Sequence, residues 1–125
     1  MSAGRIRAER RGRRAERIAA LWLRLKGYRI LARRYRTPVG EIDLVVRRGR
    51  TLAFVEVKAR ARMSVALEAI SARQRRRATQ AARAYLGRHP PSPGMILRFD
   101  ALILCPGRRP HHIVSAWEAQ DTGLP

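Results

Sequence analysis

The chain has 125 residues, of which 28 are Lys or Arg and 9 are Asp or Glu, a formal charge of +19. That length allows one domain with a core of its own, and the charge calls for a polyanionic partner, of which nucleic acid is the common one. No stretch reaches the run of about 18 apolar residues that a membrane helix needs, and a single cysteine, Cys105, excludes an internal disulfide.

The N-terminal stretch MSAGRIRAERRGRRAER is basic but lacks the apolar segment of a signal peptide, so the expected compartment is the cytoplasm. Residues from about 5 to 26 read as a helix. Ile18, Leu21, Trp22 and Leu25 recur at helical spacing as its expected core stripe, and Gly27 suits a left-handed cap. Tyr28 to Arg36 reads as a partly exposed strand. Pro38 and Gly40 mark a turn, EIDLVVR alternates as a second strand, RRGR turns tightly at Gly49, and TLAFVEVKA is a third strand. A short helical turn is expected around ALEAI. A second long helix begins near Ser71, where SARQ has the form of a capping box, and runs through Tyr85 and Leu86 to the Pro/Gly loop GRHPPSPG. MILRFDALILC is apolar on both faces, as a central strand is, with Cys105 as a buried thiol. CPGRRPHH reads as a loop with His111 and His112 at the surface, HIVSAW as a last strand, and 118–125 as a frayed tail. The order α-β-β-β-α-β-β specifies an α/β domain with a mixed sheet flanked by helices.

The second and third strands carry an uneconomical pattern. Three of the few acidic residues, Glu41, Asp43 and Glu56, lie in these apolar strands, with Lys58 two residues after the last. Alternation puts Glu56 and Lys58 on one face, roughly 7 Å apart. A hairpin loop of even length brings Asp43 to the same face. Two carboxylates beside a buried region are costly to ionise together, and a divalent cation relieves that cost; hard oxygens with room for water are what Mg²⁺ takes. Two of the 28 cations are lysines, Lys26 and Lys58, leaving 26 arginines. A generic surface cation here would therefore be arginine. A compact ammonium beside a metal and a basic surface is the equipment of phosphodiester hydrolysis. The bland alternative is a cross-strand Glu-Lys pair with no metal.

The stretch GEIDLVV…FVEVKAR resembles the signature of the PD-(D/E)XK nuclease superfamily, and within it the YraN-like family of small bacterial proteins. GYRILARRYR before this stretch, and ARQRRR and LRFDALIL after it, keep the family's order. The resemblance implies a restriction-endonuclease-like fold, related to that of Holliday-junction resolvases. It also implies a Mg²⁺ or Mn²⁺ site on Asp43, Glu56 and the Val57 carbonyl, with Lys58 as the catalytic lysine. Glu16 matches a helix acid that approaches the metal in resolvase-like members, although it points away from the expected core stripe. Gln74 matches a glutamine near substrate in several nuclease branches, and it is also the capping-box residue of its own helix. Glu41 and Asp100 match the family pattern and are assigned structural partners, Asp100 with an arginine such as Arg98.

The expected function is that of a metal-dependent endonuclease on nucleic acid, with DNA as the expected substrate and branched or processed intermediates among the forms it would take. Arg13, Arg17, Arg60, Arg62, Arg73 and Arg76 are the candidate phosphate contacts. A homodimer is compatible with the sequence and a membrane partner is not expected. The rival expectations are a nucleic-acid-binding module that keeps the fold without cleaving, and a ribosome-associated RNA-binding protein using the same charge.

Overall fold

The computed structural model describes residues 3–63 and 70–119, with side chains from residue 12 onward. The elements are α1 (Ala3–Leu25), β1 (Arg29–Thr37), β2 (Gly40–Arg48), β3 (Thr51–Ala59), α2 (Ala72–Arg88), β4 (Ile96–Leu104) and β5 (His111–Trp117). The expected α-β-β-β-α-β-β order and mixed sheet are what the chain forms. The strands lie in the order β1-β2-β3-β4-β5, all antiparallel except β3 with β4. That parallel pair needs a long crossover, and α2 lies in it. The helical turn expected around ALEAI falls, but for Ile70, outside the described residues, as does the tail beyond Ala119.

Alternation along β3 distributes its side chains between two core layers. Leu52 and Phe54 pack under α2 with Val45, Ala101, Ile103 and Tyr85. Ala53 and Val55 pack under α1 with Leu44, Val46 and Leu102. Helix α2 is started by the predicted capping box: the Gln74 N–H donates to Ser71 Oγ at 3.1 Å and the Ser71 N–H to Gln74 Oε1 at 3.0 Å. It runs two residues further than expected, through Gly87 to Arg88. Where β2 begins, Gly40 passes so close to the Arg77 carbonyl of α2 that any β-carbon would overlap it; the glycine of GEID is a packing requirement.

Helix α1 corrects the expected core stripe. Ile18, Leu21 and Leu25 are 44%, 57% and 75% exposed, Trp22 of the expected stripe does pack against the core, and the buried face is Ala15, Ala19, Ala20 and Leu23. Small residues let the helix axis approach the sheet closely, so this face wins although its side chains are less apolar than the other's. The correction turns Glu16 inward. It shares the buried face with Ala19, Ala20 and Leu23, and what looked like an awkward helical phase is the packed one.

Asp100, fully buried in β4, has the arginine partner expected of it and more. Arg98 grips it through Nε and Nη2 at 2.8 and 2.7 Å, His112 Nε2 lies 2.7 Å from Oδ2, and the Ser115 N–H donates to Oδ1 at 3.1 Å. Burial pushes its pKa up, but the hydrogen bonds from His112, Arg98 and Ser115 outweigh this and hold it below the usual carboxylate range. The β4–β5 register shifts between Phe99 and Ala101, and Ser115 takes a φ of 54° there; the bulge wraps the carboxylate. His112 is thus not the surface loop residue expected from sequence. It lies in β5 with its side chain 3% exposed, because a buried carboxylate recruits it.

Candidate functional site

The β2–β3 hairpin closes on Arg48 opposite Thr51 around a two-residue turn, Gly49–Arg50, with Gly49 at φ 60°. The even loop required for Asp43 and Glu56 to meet is present. The backbone ladder runs only as far as Leu44 opposite Val55; one step further in the same register stand Asp43 and Glu56. There the Asp43 side chain replaces a ladder partner, its Oδ2 accepting the Val57 N–H at 2.7 Å. Strict alternation also breaks here. Ile42 packs under α2 and Leu44 under α1, although they are two residues apart. The two carboxylates therefore meet where the ladder between β2 and β3 ends.

Their electrostatics follow from that position. Burial pushes the Asp43 pKa up, opposed by the Val57 N–H. Glu56 is pushed up to about 8, first by burial and then by the Asp43 charge, with Lys58 pulling the other way. Both carboxyls are thus pushed toward the protonated form, and the pair holds a proton more tightly than an exposed carboxylate does. Lys58 Nζ lies 3.7 Å from Glu56 Oε1, both side chains 12% exposed. Asp43, Glu56 and Lys58 thus converge as expected. Glu16 is the third carboxylate of the neighbourhood: burial raises its pKa, Arg34 lowers it and Asp43 raises it again. Its Oε2 lies 3.5 Å from Arg34 Nε.

A cavity of about 190 Å³ opens beside this cluster, on its Asp43 side, lined among others by Arg13, Glu16, Arg34, Arg36, Asp43 and Val57. It is smaller than the roughly 300–1,000 Å³ of drug-like pockets and polar, suited to a hydrated ion with a phosphate group. Glu41 lines it too, in a loose 4.0 Å ion pair with Arg36 rather than the structural hydrogen bond expected. Two basic depressions adjoin the cavity. One shares Arg13, Glu16 and Arg34 with it and adds Arg14 and Arg17. The other shares Glu41 and adds Ser71, Arg73, Gln74 and Arg77. Gln74 is therefore beside the acidic cavity, with its side-chain carbonyl committed to the helix cap. Arg60 and Arg62 are exposed just after β3, and Arg76 is exposed on α2. Sequence reasoning missed Arg34, Arg36 and Arg77; the run RRYR was the available signal for the first two.

Among the described residues no three His, Cys, Asp or Glu side chains converge as a ready ligand set, so an ion here would rest on two carboxylates, backbone oxygen and water, which is how Mg²⁺ is usually held. The tighter proton binding of the Asp43–Glu56 pair gives the metal-free protein a defined pH response. The folded state holds a proton that the unfolded chain releases between the ordinary 4.5 of a glutamate and about 8. The contribution is fully present below pH 4.5 and is lost as pH rises through 8. Thermal melts in chelator should show stability falling across that window, and Glu56→Gln should flatten the slope.

Residues 15–104 match the model of the uncharacterised protein family UPF0102, a span that holds the whole acidic cluster. A UPF0102 protein of Parvibaculum lavamentivorans is 55% identical over 112 residues, 90% of this chain and 84% of its own length. One of Methylorubrum extorquens is 56% identical over 110 residues, 88% and 86% of the two chains. One of Nitrobacter winogradskyi is 50% identical over 115 residues, 92% and 98% of the two. Among the described residues no helix is long and apolar enough to cross a membrane.

Proposed function

The chain belongs to the UPF0102 family, and we propose that it is a divalent-metal-dependent nuclease of the PD-(D/E)XK type, acting on DNA. The observation that carries this is the meeting of Asp43, Glu56 and Lys58 at the end of the β2–β3 ladder, beside an arginine-lined cavity. Two buried carboxylates pushed toward the protonated form make a donor set that a hard cation fits, because one ion replaces the proton and satisfies both. Asp43, Glu56 and the Val57 carbonyl would hold Mg²⁺ or Mn²⁺, with Glu16, which lines the cavity together with Asp43 and Val57, as a further acid. When bound, such an ion supplies Lewis-acid stabilisation and a water of lowered pKa.

The protein's own groups do the rest. The ammonium of Lys58, already beside Glu56, is placed to neutralise charge that builds on the phosphoryl oxygens as water attacks. Arg13 and Arg17 on one side and Arg73 on the other supply phosphate contacts that hold the strand across the site. The mixed sheet in the order α-β-β-β-α-β-β, with the acidic residues on the hairpin of β2 and β3, is compatible with the same assignment. One observation favours the rival reading of a binding module that does not cut: Glu56 and Lys58 pair with each other and do not line the cavity itself.

A cleavage screen over linear, nicked, flapped and four-way DNA, with Mg²⁺ or Mn²⁺ and with chelator, separates the two. Metal-dependent cuts in at least one substrate are expected. Salt-sensitive binding to all of them with no cut in any would hand the function to the binding module.

A further inference from the structure

Strands rarely hold a non-glycine residue in the left-handed region, because the β-carbon is crowded there. Within β1 one residue does so, Arg34, at φ 51°. Its place in the register, between Arg33 opposite Leu44 and Tyr35 opposite Ile42, sets it against Asp43. The strained residue of β1 and the metal-site carboxylate of β2 therefore face each other across one pair of strands. The consequence is a change of face. Ala32 and Tyr35, three residues apart, both pack against the core under α2, while Arg34 comes to line the acidic cavity and the basic depression beside it. Its guanidinium meets Glu16 at 3.5 Å, Nε to Oε2, and the side chain stays 39% exposed. A structural ion pair would not need a strained backbone, since arginines crowd this surface.

We propose that Arg34 is the phosphate-seating residue of the cavity, held by its backbone conformation and parked on Glu16 until a phosphodiester takes its guanidinium. The inference rests on the nucleic-acid reading above. A cavity lined by carboxylates repels a phosphate, and a planar fork that binds two phosphate oxygens at once is the group that overcomes this.

The test is binding without cleavage: anisotropy of a fluorescein-labelled DNA duplex across a salt series, with Ca²⁺ in place of Mg²⁺. Arg34→Gly suits the left-handed backbone and removes the guanidinium; Arg34→Asn, which also tolerates that conformation, serves if the glycine variant folds poorly. Both should keep the wild-type melting temperature or exceed it, and keep any stabilisation by Mn²⁺. DNA affinity should fall about tenfold and the log–log salt slope should shrink by about 0.9, the loss of one phosphate contact. Arg109→Gln, an equal loss of charge on an exposed loop, should change both much less. Unchanged affinity and slope in the Arg34 variants, or a loss equal to that of Arg109→Gln, overturns the assignment and leaves Arg34 as the counter-ion of Glu16. If the wild type itself binds DNA without salt dependence, the nucleic-acid reading falls, and this inference with it.

Discussion

Replacing Lys58 with alanine should lower the rate of phosphodiester cleavage by about 100-fold or more while leaving divalent-metal binding in place. The ammonium sits beside Glu56 rather than bridging both carboxylates, so its removal takes no ligand from the ion. On the proposed function the variant would lose the positive charge beside the reacting phosphate, and single charge-stabilising donors of that kind carry effects of this size. Lys58→Arg should not restore the rate. Its guanidinium is larger and fixes its donors in a plane, and both Lys58 and Glu56 are too enclosed to admit a wider group without displacing the pair. Single-turnover cleavage of whichever substrate the screen identifies, together with Mn²⁺ melts of the same variants, measures both halves. An alanine variant that cuts at the wild-type rate would remove Lys58 from the mechanism.

The largest stability effect belongs to Asp100. Asp100→Ala should cost about 3–5 kcal/mol, the expected result of leaving charged partners buried and unpaired. The variant strands the Arg98 guanidinium, the His112 ring and the Ser115 N–H at once. Arg98 also bonds the Tyr28 hydroxyl at 2.7 Å, and His112 Nδ1 meets Lys26 Nζ at 2.7 Å. Damage should therefore spread to the C-terminal end of α1 and to β5. Urea unfolding checks the magnitude. Replacing Asp100 and Arg98 together by leucines should cost less than Asp100→Ala alone, because the uncompensated charge has gone too. A double variant as damaged as the sum of its parts would mean the network contributes through packing and not through charge.

The parts of this structure that were legible in the sequence are those set by neighbours along the chain. A two-residue turn at Gly49, period-two alternation and the SARQ capping box are local. They suffice to bring Asp43, Glu56 and Lys58 together and to start α2 at the right residue. The core face of α1 was illegible because it is chosen by how closely a helix can approach a sheet. Alanines win that competition while Ile18, Leu21 and Leu25 stay exposed, and no hydrophobic periodicity reports it. The same mistake concealed why Glu16 reaches the site. His112 looked like a loop residue because the carboxylate that buries it is twelve residues away in sequence. The backbone conformation of Arg34 carries no sequence signal, since left-handed backbone is ordinarily announced by glycine or asparagine, and this chain places an arginine there.

The most direct measurement is the melting temperature of the wild type and of Asp43→Ala and Glu56→Ala across a Mn²⁺ titration. A ligand that binds only the folded state stabilises it by about 2.7 kcal/mol at a hundred times its Kd, so the wild type should melt progressively higher as Mn²⁺ is added. Both alanine variants should show no such rise, and in chelator each should melt at or above the wild type, because an unfavourable pair of buried carboxyls has been broken. Variants that keep the full Mn²⁺ response would show that the ion binds elsewhere, and the metal centre assigned to the end of the β2–β3 ladder would be wrong.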